Sequence, residues 1–152
     1  MWKAFDELEA IGLIDNKRPK IIAVQSEATS PVVNAINNGL DDTQVVDAGE
    51  TIATGLNVPG GVGHFKVLEI IRESGGTAIA VTEQQIRSQL GYIYQKKGIW
   101  ICPEGAATLA ALEPAWELGL IEANTTVAAF NTGTFEKYLP NIREIIFENA
   151  IV

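Results

Sequence analysis

Gly98-Ile-Trp-Ile-Cys-Pro-Glu-Gly-Ala-Ala-Thr-Leu-Ala-Ala-Leu112 decides the reading of this chain: an apolar run, a Pro-Glu-Gly turn, then a helix of small residues. Ile99 to Cys102, apolar throughout and bounded by glycine and proline, leave no polar face and predict a fully buried strand. Pro103 suits the first turn of a helix, where its missing N–H would have had no partner. Glu104 puts a carboxylate at the positive end of that helix, and Ala106, Ala107, Ala110 and Ala111 let it lie close to whatever it covers. Such a strand-to-helix turn, at the carboxyl end of a parallel sheet, is where α/β proteins hold ligands. The same pattern also serves as a plain packing unit, so spacing alone does not assign it a ligand.

The composition narrows the classes. A chain of 152 residues has the length of one domain, read here as a single α/β domain over 1–152, and can bury roughly 68–70% of its unfolded surface. Lys+Arg 11 against Asp+Glu 19 gives a net charge of -8, which argues against nucleic acid or an anionic membrane as partner. The single cysteine excludes an internal disulfide, and with the single histidine it cannot build the usual zinc sites, so no metal is expected. There is no positively charged start leading into an apolar core, and no apolar run approaches the ~20 residues of a membrane span. The expectation is a cytoplasmic protein.

Outward from the central stretch, the chain alternates strands and helices. Trp2, Phe5, Leu8 and Ile11 recur at helical spacing, with Gly12 as a stop and no capping residue ahead of them. Lys17, Arg18 and Lys20 read as a solvated basic loop. Ile21 to Val24 predict a buried strand, and Pro31 opens a helix with Ser30 as its N-cap. Residues 40–50 read as an acidic loop with a short strand at Val45-Val46, and Thr51 to Val58 are ambiguous between strand and binding loop. Pro59-Gly-Gly-Val-Gly63 lacks the established phosphate-loop patterns and reads as a hinge; His64 behind it has no recognisable acid or nucleophile beside it. A helix from Phe65 to Ser74 precedes a second buried strand, Thr77 to Val81. Thr82 and Gln85 spell a capping box for a helix that closes at Lys96-Lys97-Gly98. Pro114 predicts a kink or break near Leu112. Thr125 to Phe130 predict the last buried strand, followed by a helix from Phe135 to Asn149 around Pro140. The expected fold is a three-layer α/β sandwich, a mainly parallel sheet of about four strands with helices on both faces. The polar loops at Gln25, Thr82, Pro103 and Asn131 would gather along one edge.

Four stretches carry a resemblance: Thr51-Ile-Ala-Thr-Gly-Leu56, Arg72-Glu-Ser-Gly-Gly-Thr-Ala-Ile-Ala-Val81, Cys102-Pro-Glu-Gly-Ala-Ala-Thr-Leu-Ala-Ala-Leu112 and Phe130-Asn-Thr-Gly133. In order and spacing, from about Trp2 to Tyr138, they are similar to the carboxyl-terminal half of the threonine synthases, members of the fold-type-II pyridoxal-phosphate enzymes. The resemblance implies pyridoxal 5'-phosphate as cofactor of the intact enzyme. It also implies a phosphate-eliminating lyase activity, conversion of O-phosphohomoserine and water to threonine and phosphate. It places Thr132 where the family offers a hydroxyl to the pyridine nitrogen, Thr54 and Gly55 along the cofactor cleft, and Glu104 and Gly105 close to the ring. Cys102 would be a buried structural thiol. Two departures stand out: Thr134-Phe-Glu-Lys-Tyr138 replaces the usual Ser-Gly-Leu-Lys-Tyr, and His64 stands where an Asp is common.

In the family, the lysine that carries the cofactor, the substrate loop and the phosphate-binding loop lie upstream of the helix that begins this sequence. None of Lys3, Lys17, Lys20, Lys66, Lys96, Lys97 and Lys137 matches those motifs. The expectation is therefore no catalytic residue within the chain and no activity by the chain alone, with an amino-terminal half or a second copy of the chain, in a homo-oligomer, as partner. Whether the chain alone binds the cofactor is open. The alternatives are a stand-alone binding module for a small anion or amino acid, and a self-assembling module with an unpaired sheet edge.

Overall fold

The computed structural model describes residues 1–147, and its secondary structure is helices with two parallel strands. Helix α1 spans Trp2–Ala10, strand β1 Ile22–Ser26, α2 Pro31–Asn37, α3 His64–Glu73 and β2 Thr77–Val81. Then follow α4 Glu83–Lys97, α5 Pro103–Ala110, α6 Leu112–Glu117 and α7 Leu139–Phe147, with 3₁₀ turns at Thr54–Leu56 and Phe135–Tyr138. The predicted end of the last helix at Asn149 lies outside the described residues.

Strands β1 and β2 pair in parallel, from Ile22 opposite Thr77 to Ser26 opposite Val81. Parallel pairing demands a crossover, supplied here by α2, the loop after it and α3. Side chains alternate across the ladder, so each face has its own core. Ala23, Ala78 and Ala80 pack under α2 and α3 against Val32, Val33, Ala35, Leu68 and Ile71. Ile22, Val24, Ile79 and Val81 face the opposite side, against Ile86 and Leu90 of α4 and Ala106, Ala107 and Ala110 of α5. Each fully buried Leu or Ile, such as Leu68, Ile71 and Ile86, contributes about 1.5–3 kcal/mol. The small residues of α5 bring its backbone close to α4 and the sheet.

The α/β layering holds, but the sheet of about four strands does not. Among the described residues only β1 and β2 form a ladder. Of the predicted strand Ile99 to Cys102, only Ile101 and Cys102 are buried, while Ile99 and Trp100 are 53% and 46% exposed. The predicted strand Thr125 to Phe130 is exposed along its whole length. Apolar composition sets a preference for burial, whereas a strand also needs a neighbour to take up its N–H and C=O groups. Among the described residues neither segment has a paired strand beside it. Val45-Val46 is likewise no strand; the Val46 N–H donates to the Pro59 carbonyl and ties the acidic loop to the glycine-rich one.

Capping follows the sequence closely in one place and departs from it in another. Thr82 and Gln85 form the reciprocal capping box of α4. Ser30 occupies the N-cap position of α2 but makes no capping bond; the Gln25 side-chain oxygen accepts the Val32 and Val33 N–H groups instead, at 2.8 and 3.1 Å. The break predicted from Pro114 falls at Ala111, between α5 and α6. Arg18 is not a solvated charge: its guanidinium lies over the Phe5 ring and pairs with Asp6 and Glu9, pinning α1 to the following loop. Among the described residues no helix is long and apolar enough to cross a membrane.

Candidate functional site

The Pro-Glu-Gly turn behaves as a junction. Cys102 is the N-cap of α5, its sulfur accepting the Gly105 N–H at 3.3 Å. This places Glu104 in the first turn, where backbone N–H groups favour a carboxylate. The residue is 6% exposed. Its Oε1 accepts the Gly55 N–H at 2.7 Å and the Tyr138 hydroxyl at 2.6 Å. Its Oε2 is buried and has no hydrogen-bond partner among the described residues. Burial works against the Glu104 charge. The hydrogen bonds from Tyr138 and Gly55, with its own N–H and the Cys102 thiol close by, outweigh burial and hold the carboxyl below the usual carboxylate range. Burial, and next the bond to Glu104, push the Tyr138 phenol above its ordinary value.

A second carboxylate in a helix first turn holds the same loop from its other side. Glu83 of α4 accepts the Thr51 hydroxyl at 2.9 Å and the Ile52 N–H at 3.3 Å, and pairs with Arg87. The segment Thr51 to Gly55 therefore hangs between the starts of α4 and α5, with Ile52 and Ala53 buried and Thr54 and Gly55 exposed.

The Asn131-Thr-Gly133 turn closes on Cys102. Asn131 Oδ1 accepts the Cys102 N–H at 2.9 Å and lies 3.0 Å from its sulfur, and the Asn131 amide donates to the Gly133 carbonyl. Thr132, between them, is exposed. Gly55, Glu104 and Gly105 meet directly or through one residue, and Thr54 and Thr132 are carried on the two segments that Glu104 and Cys102 anchor. The sequence gathers the Asn131 loop along the same edge as the Pro103 loop without naming the Asn131 side chain, and it gives no sign of Tyr138 in this cluster. A buried glutamate requires donors, which is the signal that points to a tyrosine or amide nearby, but it does not say which one.

His64 begins α3, and its Nδ1 is 2.8 Å from the Thr43 hydroxyl, remote from this cluster in its partners. Among the described residues no group of three or more His, Cys, Asp or Glu could hold a metal ion.

The family model described as "Pyridoxal-phosphate dependent enzyme" matches residues 1–133. Threonine synthase of Methanosarcina acetivorans is 32% identical over 152 residues, covering 100% of this chain and 37% of the relative. Threonine synthase of Methanocaldococcus jannaschii is 33% identical over 133 residues, covering 88% of this chain and 33% of the relative. The chain thus spans about a third of the length of these curated relatives. Among solved structures, a T.th. threonine deaminase superposes with a TM-score of 0.51 at 23% identity, over 65% of this chain and 33% of that one, a likeness of fold.

Proposed function

This chain belongs to the pyridoxal-phosphate dependent enzyme family, and from that premise we propose that it is the ring-binding part of a threonine-synthase-like enzyme. The activity is the conversion of O-phosphohomoserine and water to threonine and phosphate. Pyridoxal phosphate, when bound, supplies an electron sink for charge developed on an amino-acid substrate. The residues present fit one wall of that group's site. The single observation that carries the reading is Glu104: buried and held ionised, it keeps Oε2 without a partner among the described residues, an orphaned buried acceptor that a bound group would satisfy.

In this reading Thr132 hydrogen-bonds the pyridine nitrogen. A neutral hydroxyl there does not force protonation of the ring, which suits elimination and replacement at the β and γ carbons. Thr54 and Gly55 line the cleft, and Glu104 and Gly105 close it beside the ring. The matched share of the relatives supports a division of labour, in which the lysine and the phosphate loop come from the rest of the enzyme. The chain alone is then catalytically silent, and its partner is that remainder.

The test is a titration of the purified chain with pyridoxal phosphate, with and without the amino-terminal part of a related threonine synthase. The expected result is a borohydride-reducible chromophore and phosphate release from O-phosphohomoserine only when both parts are present. A stoichiometric reducible adduct on a lysine of this chain alone would overturn the division of labour. No chromophore and no phosphate release with both parts mixed would overturn the assignment.

A further inference from the structure

Tyr138 has no place in the reading above, yet it is 4% exposed and its hydroxyl is committed to Glu104 at 2.6 Å. Its oxygen also accepts from Lys137 Nζ at 3.3 Å, and the Lys137 ammonium sits 5.0 Å from the centre of its ring. A chain of donors therefore runs inward, from an exposed ammonium through a buried phenol to a buried carboxylate. The same carboxylate oxygen holds the Gly55 N–H. Tyr138 lies at the end of a 3₁₀ turn and Gly55 inside another, 83 residues apart by number, and among the described residues Glu104 is the group that bonds to both.

We propose that Tyr138 is a positioning residue: with Lys137 behind it, its hydroxyl fixes Glu104 in the one orientation that holds the Thr54–Gly55 turn and leaves Oε2 free. Geometry supports this from both sides. A Cβ on Gly55 would stand 2.7 Å from Glu104 Oε1, so turn and carboxylate are in contact and move together. The aromatic ring is itself seated against the Asn131-Thr-Gly133 turn, since a Cβ on Gly133 would reach its Cε2 at 3.5 Å. The other titratable group at the carboxylate is the Cys102 thiol, which also favours its charged form. Tyr138 thus acts on the proposed cofactor wall through Glu104 rather than by touching a ligand. The role assigned to that wall rests on the reading above, but the contact does not.

Two measurements on the full chain without cofactor test it. In Tyr138→Phe, carboxyl-carbon NMR should show the Glu104 titration moving upward, and the Gly55 amide should exchange about tenfold faster, while amides of β2 and α4 keep their protection. An unmoved Glu104 titration, or exchange that rises equally at Gly55, β2 and α4, would overturn the proposal. Should Tyr138→Phe fail to fold, Glu104→Gln replaces it: the Tyr138 phenol should then titrate lower, and an unmoved phenol would overturn the proposal. Neither readout needs pyridoxal phosphate, so a chain that binds none leaves this result standing, and failure of the positioning role leaves the family assignment standing.

Discussion

A Cβ built on Gly105 would stand 2.5 Å from the side-chain oxygen of Asn131, the atom that also accepts the Cys102 N–H. The glycine is therefore required by a neighbour 26 positions away in the chain, not by its own helix. Gly105→Ala should push the Asn131 amide off the Cys102 N–H and cost about 1–3 kcal/mol. Urea unfolding should show a lower midpoint with an unchanged slope, and an unchanged midpoint would mean that the turn yields freely.

Gly76 is more tightly enclosed. A Cβ there would meet the Ile21 carbonyl oxygen at 1.9 Å, a backbone atom that cannot swing aside. Gly76→Ala should disturb the entry of both strands and lower stability by about 3 kcal/mol or more. Thermal unfolding checks this, and the loss should exceed that of Gly105→Ala.

Thr82→Ala removes both the oxygen that accepts the Gln85 N–H and the hydroxyl that bonds the Gln85 side chain. The expected cost is about 1 kcal/mol, with most of it recovered in Thr82→Ser. Equal stability of the alanine and serine variants would contradict the capping role.

Acid should find Glu104. Its carboxyl titrates lower in the folded chain than in the unfolded one, so the unfolded chain takes up the proton first as pH falls. The stability it contributes is complete above the ordinary glutamate value, about 4.3. It drains away as pH drops through the folded value. Glu104→Gln should therefore lose stability at neutral pH and show a shallower acid limb than the parent chain. Urea midpoints measured from pH 7 downward decide it; parallel limbs would remove Glu104 from the acid response.

The elements with local causes were legible from the residues. Thr82 and Gln85 announce their helix, and Pro114 announces the break at Ala111, because both effects are satisfied within one turn. One residue of the basic cluster misled: Lys17 and Lys20 are exposed, but Arg18 meets Asp6, Glu9 and Phe5, and helical spacing does not reveal which charge faces which loop. The extended segments misled for a different reason. Ile99 to Cys102 and Thr125 to Phe130 have strand composition, but a ladder belongs to two segments at once.

The candidate site divides in the same way. The motifs at Thr54-Gly55, Glu104-Gly105 and Thr132 could be picked out by resemblance, residue by residue. That Glu104 would stay charged while buried could not. Its ionisation depends on the Tyr138 hydroxyl and the Gly55 N–H arriving from separate turns. By itself the sequence determined the α/β class, the places of β1 and β2 and the capped start of α4, since these follow from periodicity and short-range capping, while the last helix, predicted from Phe135, begins at Leu139 after a 3₁₀ turn. Tertiary structure alone decided which strands find partners, and which donors reach a buried carboxylate. Both are set by distances between residues far apart in the chain.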